Sequence, residues 1–252
     1  MEKQIVSKQR VTDYGEVYTR EREVNAMLDL VKLQTQSLEA TFLEPACGTG
    51  NFLIEILRRK LAIAAQNYQR KGRRIAPRSQ VSYERDLVLS VSSLYGIELL
   101  PSNVQHCRQR LLDYAIQEYT KLFPTTIKAE CLATLECLLT LNIVHGNALT
   151  MEVEKTREVS PIEYLPVTQQ EYAKKAIIFS QWSFINARKV KRVQFLYWGL
   201  VEKQYRTDGD NQTNAALPHP YRSVYQSSVC DFLEIGETYK EEYRNEQAKL
   251  QS

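Results

Sequence analysis

Residues 42–57 read FLEPACGTGNFLIEIL. An apolar run stops at Pro45, glycines follow at positions 48 and 50, and Phe52, Leu53, Ile56, Leu57 and Leu61 then recur at helical spacing. Glycines so placed let the chain turn tightly and let a ligand reach bare backbone, with no β-carbon between. Two glycines alone suit a plain strand-to-helix turn as well. The third glycine of a dinucleotide fingerprint is missing, and so is the lysine of a P-loop. Other reactive side chains are scattered. Cysteines at 47, 107, 131, 137 and 230 form no Cys-x-x-Cys pair, and His106, His145 and His219 form no cluster. This spacing speaks against a zinc site or a disulfide frame and for the reduced thiols of a cytoplasmic protein. It implies neither a metal nor a covalent nucleophile, and Cys47 reads as packing within the turn.

The elements that must position this turn alternate in type. Residues 20–33 place Val24, Met27, Leu28 and Val31 on one helical face, so a helix is expected before the first strand. ATFLEPA reads as a short buried strand, and Asn51 to about Gln66 as the helix after it. NYQRKGRRIAPRSQ (67–80) is polar and basic, as a loop or excursion would be. SLYGIEL is a second strand, and SNVQHCRQRLLDYAIQEY a helix with Val104, Cys107, Leu111, Leu112 and Ala115 on one face. LNIVHGNAL and AIIFSQWSF are the third and fourth strands. Strands alternating with helices predict an α/β sheet, mainly parallel and flanked by helices. Beyond residue 200 the pattern weakens. RTDGDNQTNAALPHP is a loop by composition, and residues 237–252 form a charged helix or a frayed tail. The expected division is 1–200 as the working domain and 201–252 as an extension.

The whole string from Glu44 to Gly50 resembles motif I of the S-adenosylmethionine-dependent methyltransferases that act on DNA adenine. Glu44, Pro45, Ala46, Cys47, Gly48, Thr49 and Gly50 match it without a gap. Three further segments resemble that family in the same order. DYGEVYTREREVNAMLDLV is similar to the stretch preceding motif I in the modification subunits of type I restriction systems. There Tyr18 and Thr19 would reach the methionine end of the cofactor, near Glu44; Thr19 is also a good helix N-cap. LYGIELLPSNVQHCRQRLL resembles motif II. It implies that Glu98 accepts the ribose hydroxyls, as a carboxylate can do with both oxygens, with Ile97 and Leu99 beside the adenine ring. NIVHGNAL resembles motif III, with Asn147 where the family has an aspartate; its amide oxygen can still accept from the adenine amino group, without charge assistance. The resemblance implies a Rossmann-like class I methyltransferase fold, S-adenosylmethionine as cofactor and methyl transfer to adenine N6 in DNA, in restriction-modification or phage defence.

The family's catalytic element, Asn or Asp-Pro-Pro followed by an aromatic residue, occurs nowhere in this sequence. An exocyclic amine is a poor nucleophile, so an acceptor oxygen must draw off its hydrogens while a flat ring stacks on the extruded base. At the corresponding place stands FSQWSF. In one reading Ser180 or Gln181 supplies the acceptor and Trp182 or Phe184 the stacking face. In the other this is a buried strand end, and the domain binds cofactor as a regulatory subunit. An RNA or protein acceptor is a third reading. Arg188, Lys189, Lys191 and Arg192 follow, and Arg70, Lys71, Arg73 and Arg74 form a second basic run; both could meet phosphates. A net charge of +3 does not mark a nucleic-acid binder by itself. The expected partners are DNA and a target-recognition subunit, since no separate recognition domain fits in 252 residues. No membrane is expected, because no apolar run reaches the roughly 18 residues of a span.

Overall fold

The computed structural model describes residues 19–69, 79–154, 175–198, 225–226 and 228–251. Three strands, β1 (Phe42–Glu44), β2 (Leu94–Glu98) and β3 (Ile143–Asn147), pair in parallel in the order β1-β2-β3, and a two-residue β4 (Glu152–Val153) adds antiparallel to β3. The helices are α1 (Glu21–Asp29), α2 (Lys32–Thr35), α3 (Asn51–Gln69), α4 (Gln80–Ser92), α5 (Pro101–Leu122) and α6 (Ala129–Asn142). The result is a mixed α/β architecture whose sheet is mostly parallel, because each return passes through helix.

Alternation along the strands divides the core in two. Phe42, Leu94 and Ile143 join the large cluster formed with the helices, while Leu43, Tyr95, Ile97 and Val144 face the other way. The second face is covered by a β-hairpin instead of helices. β5 (Ile178–Phe184) and β6 (Lys189–Leu196) pair antiparallel, with β7 (Tyr225–Gln226) and β8 (Cys230–Asp231) added to β6. Phe179 meets Tyr95 edge-on at 5.3 Å between ring centroids, and Tyr197 meets Phe179 at 6.1 Å. AIIFSQWSF is thus a strand, as its pattern predicts, yet it is not the fourth parallel one. Its continuous apolar half, Ile177 to Phe179, suits a strand buried against another sheet equally well.

Two helices that periodicity does not pick out, α4 and α6, are buried on most sides: Glu84, Asp86, Leu87, Val88, Ser90 and Val91 in α4, and Thr134 through Asn142 largely throughout in α6. A helix enclosed all round shows no apolar stripe. Two enclosed charged groups are matched. Glu84 accepts from Tyr119 Oη and from Lys128 Nζ at 2.6 Å, and Lys60 donates from α3 to the carbonyl of Leu38 and to Ser93 Oγ at 2.7 Å.

The chain's last described stretch closes the helical face. A 3-10 turn at Phe232–Glu234 leads into α7 (Ile235–Thr238) and α8 (Lys240–Gln251). Asp231 caps the turn, accepting from Leu233 N–H, while Glu234 accepts from the Asp231 N–H. Phe232, Ile235 and Tyr239 enter the large core. Gly236 lies so close to α6 that a β-carbon there would stand 2.6 Å from the Ala133 carbonyl carbon. At the other end of the chain, Val24 and Leu28 of α1 pack on α3, whereas Met27, Leu30, Val31 and Leu33 are exposed.

Candidate functional site

β1 ends at Glu44, and the next six residues form the turn into α3. Gly48 has φ +51° and Gly50 φ +87°, the left-handed region that residues with a β-carbon avoid. The Gly50 N–H bonds the Cys47 carbonyl at 2.8 Å, and its own carbonyl receives Ile54 N–H as the helix begins. A β-carbon on Gly50 would meet Cys107 Sγ of α5 at 2.7 Å, so this glycine is demanded by helix packing as well as by its dihedral. The Cys47 N–H bonds the Ile97 carbonyl at 3.0 Å and anchors the turn to the end of β2. The Cys47 thiol is buried against Cys107. That hydrogen bond and the loss of solvent hold it protonated, well above the ordinary thiol range. It is a packing group, without nucleophilic character.

Glu44, Glu98, His145 and Asn147 share the helix-facing side of the sheet, at the carboxyl ends of their strands. Glu98 is nearly buried. Its Oε2 accepts from Gly48 N–H at 2.8 Å, and its Oε1 from Leu100 N–H at 2.9 Å and Asn103 Nδ2 at 3.4 Å. The carboxylate therefore pins the glycine turn to the start of α5. Glu44 Oε1 accepts from Ala46 N–H at 3.4 Å; partial burial raises its carboxyl, and that hydrogen bond opposes the rise. Asn147 Oδ1 accepts from Leu149 N–H at 2.9 Å and Thr150 N–H at 3.3 Å, which commits the amide oxygen to its own turn. Pro45 and Ala46 are exposed at the turn. Ile97 is fully enclosed on the opposite face of the sheet and cannot lie beside a ligand at the turn, whereas Leu99 is partly exposed.

Three residues to which the motifs assign no role also border the site. His145 stands beside Glu98 in register, with its Nε2 2.9 Å from the Leu99 carbonyl. Asn51 donates to the Thr19 carbonyl at 3.0 Å, tying the segment before α1 to the turn. Arg110 of α5 donates to Asn51 Oδ1 at 2.9 Å and to the Thr49 carbonyl at 2.7 Å. His145 was visible as the residue two before Asn147 on one strand face, and Asn51 as the first residue of the helix. Arg110 carries no local signal. Tyr18 lies outside the described residues.

Ser180, Gln181, Trp182 and Phe184 are not brought to this turn. Ser180 N–H donates to Asn142 Oδ1 at 2.9 Å, and its carbonyl accepts from Asn142 Nδ2 at 2.9 Å and Tyr95 Oη at 3.2 Å. Asn142 precedes β3, so Ser180 stands at the amino end of the parallel sheet. Five residues of strand at about 3.3 Å each, or about 16 Å, separate that level from Asn147. From Ser180 onward, β5 runs away from the turn. Trp182 is buried against Tyr239 at 5.3 Å, and Phe184 packs on Phe232 at 5.9 Å. Gln181 is exposed at the same far end.

The basic run after it is largely engaged. Arg192, 1% exposed in its side chain, donates to both oxygens of Glu242 at 2.6 and 2.7 Å and to Ser180 Oγ at 2.9 Å. Its guanidinium also lies 4.6 Å from the Tyr239 ring centroid. Arg188 bonds Asp231 at 2.7 Å. The phosphate-contacting expectation for Arg192 is thus corrected to an internal, fold-securing role, while Arg188 stays half-exposed beside Asp231. Arg70, Lys71, Arg73 and Arg74 lie outside the described residues. Among the described residues no group of three or more His, Cys, Asp or Glu side chains could hold a metal, and no helix is long and apolar enough to cross a membrane.

A family model described as "MmeI, DNA-methyltransferase domain" matches residues 18–194. No curated protein and no solved structure matches the chain. The matched span begins just before Thr19 and Asn51's hold on it, takes in the glycine turn, Glu98 and Asn147, and ends within β6. With well over half of its length matched, this chain belongs to the MmeI DNA-methyltransferase domain family.

Proposed function

We propose that the turn at Gly48 to Gly50 and the carboxylate of Glu98 bind S-adenosylmethionine, and that the chain serves methyl transfer to adenine N6 of DNA in a cytoplasmic restriction-modification or phage-defence system. The observation that carries this reading is the juxtaposition of a left-handed glycine turn with a nearly buried carboxylate at the next strand's carboxyl end, in a chain of a DNA-methyltransferase family. Ligands of open α/β sheets collect at that place, as in the Rossmann-like class I fold we assign to it. The bound cofactor would supply a methyl group already activated on a sulfonium.

The residues present fit such a ligand. A carboxylate offers about four acceptor positions, and the hydrogen bonds to Glu98 come from Gly48, Leu100 and, at the longest distance, Asn103. Asn103 is the donor that yields to a ribose hydroxyl. Asn147 serves the adenine amino group less directly, because its oxygen already holds two backbone N–H groups. Leu99 offers apolar contact, and Glu44 and Thr19 border the methionine end, with Tyr18 next in sequence. Residues 1–200 form the methyltransferase unit in this reading, and 201–252 an extension of it.

A second reading is that this chain holds cofactor while another polypeptide completes catalysis. The placement of Ser180 to Phe184 at the sheet's amino end favours it. Calorimetric titration with S-adenosylmethionine tests the shared core of both readings: absence of binding overturns them. Transfer of labelled methyl groups to duplex DNA then separates the two. Under the second reading, the assembled complex turns over unchanged after Gln181→Ala, and this chain alone transfers nothing.

A further inference from the structure

The strand order β1-β2-β3 sets Glu44, then Glu98, then His145 and Asn147 across the carboxyl ends of the sheet. Neighbouring strands lie about 4.8 Å apart. A ligand whose methionine end meets β1 and whose ribose meets Glu98 therefore brings its base over β3. That strand turns two polar side chains to this face, His145 and Asn147; Ile143, on the same face, lies in the core at the strand's other end.

The resemblance by motif gives the adenine amino group to Asn147, yet the two backbone N–H groups of its own turn already occupy the Asn147 oxygen. Leu149 N–H stands at 2.9 Å and Thr150 N–H at 3.3 Å. What the amide has left to offer is its NH2, a donor, and a donor cannot receive an amino group's hydrogen. His145 supplies the missing complement. It is partly exposed, stands in register with Glu98, and holds its Nε2 2.9 Å from the Leu99 carbonyl. A carbonyl oxygen only accepts, so Nε2 carries the hydrogen of the neutral ring and Nδ1 keeps a lone pair. Among the described residues nothing bonds Nδ1. The same hydrogen bond fixes the imidazole beside Leu99, which is 40% exposed and offers a base its apolar contact.

We propose that His145 is the residue by which this chain selects adenine in its cofactor: Nδ1 accepts a hydrogen from the exocyclic amino group, in place of Asn147. The inference rests on the cofactor-turn reading above. Its consequence is a preference at the edge of the base. A hypoxanthine base carries a carbonyl oxygen where adenine carries the amino group, and that oxygen would set its lone pairs against the lone pair of Nδ1. The donor NH2 of Asn147 would favour the carbonyl instead, so the sign of the preference tells which side chain reads the base. Glu98 contributes nothing to it, because both ligands share the ribose.

The test is calorimetric titration with S-adenosylhomocysteine and with S-inosylhomocysteine, which differ only at that edge and transfer no methyl group. The unmodified chain is expected to bind the adenosyl ligand roughly tenfold or more tightly, and His145→Ala to bind the two about equally. Equal affinities in the unmodified chain, or an undiminished ratio in His145→Ala, overturn the proposal. A second measurement needs no change at His145. In the variant His106→Gln, His219→Gln the one histidine left is His145, and its nitrogen-15 spectrum is expected to show the Nε2–H tautomer. The adenosyl ligand should then move the Nδ1 signal upfield, as an accepted hydrogen does. An Nδ1–H tautomer, or an Nδ1 signal that the adenosyl ligand leaves in place, overturns the proposal as well. Binding of neither ligand by the unmodified chain would instead sink the cofactor reading on which it rests.

Discussion

At the scale of single residues, Glu98 and Gly50 carry separable burdens. Glu98→Ala removes a charged acceptor from Gly48 and Leu100 and from any ribose, so cofactor affinity is expected to fall at least tenfold, about 1.4 kcal/mol. Unchanged affinity in calorimetry would place the cofactor elsewhere. Gly50→Ala meets two obstacles, a positive φ and a contact with Cys107 Sγ at 2.7 Å. A loss of about 2–3 kcal/mol in denaturant unfolding is expected. Adding Cys107→Ala should recover the steric share and leave the conformational one; full recovery would show that the dihedral costs nothing. Such residues were only half legible in sequence. The glycines declared a tight turn, and Glu98 a strand end. The demand that Cys107 places on Gly50 depends on helix packing between residues more than fifty positions apart, which no local pattern encodes. Ile97 illustrates the reverse case, since the period-two alternation that turns Glu98 toward the glycine turn sends its neighbour into the opposite core.

At the scale of elements, a buried lysine and a buried arginine hold segments together. Lys60 of α3 reaches the carbonyls before β1 and Ser93 before β2, and burial lowers its ammonium to about 7. In the unfolded chain a lysine titrates near 10.4. Between those values the unfolded state binds more protons, so this group's contribution to stability rises with pH across that window and is level below it. The difference between unfolding free energies of the native chain and Lys60→Met, measured from pH 7 to 10, should show that rise. The comparison isolates Lys60 from the thiols of Cys131 and Cys137. Burial pushes those up to about 12, so they act with opposite sign above their unfolded value. A flat difference would mean that Lys60 is charged and fully compensated throughout. Arg192 joins the hairpin to α8, and Glu242→Ala strands its guanidinium in the interior. A loss of about 2–3 kcal/mol is expected, less than for a fully buried pair because Glu242 is partly exposed. The double variant Arg192→Met, Glu242→Leu should recover part of it; a double variant weaker than Glu242→Ala alone would refute the account. The three parallel strands, β5 and the helices α1, α3 and α5 were readable from periodicity, whereas β6, α4 and α6 were not. What was not readable was the sheet to which AIIFSQWSF belongs, because an apolar half-strand looks the same beside a parallel neighbour and an antiparallel one.

At the scale of the whole molecule, the family match takes in the glycine turn and Glu98 at the carboxyl end of the sheet, while Ser180 to Phe184 lie at its opposite end. The same geometry explains why the basic run 188–192 reads as a phosphate contact in sequence and as internal ion pairing in space: Asp231 and Glu242, its partners, are some forty and fifty residues away. Those distances also bear on how the chain acquires its shape. Thr134 of α6 donates to the Phe232 carbonyl and accepts from Gly236 N–H, 98 and 102 residues further along. During synthesis, α6 leaves the ribosome long before the segment that covers it. Until Phe232, Ile235 and Tyr239 arrive, the nascent protein displays one open side of its large core, and it is then a client for chaperones. Ribosome-nascent-chain complexes stalled before Ser228 should accordingly be cut rapidly by a pulse of protease, and complexes long enough to release Gln251 from the exit tunnel should resist it. Equal resistance at both lengths would mean that α6 and the sheet are stable before their cover is made.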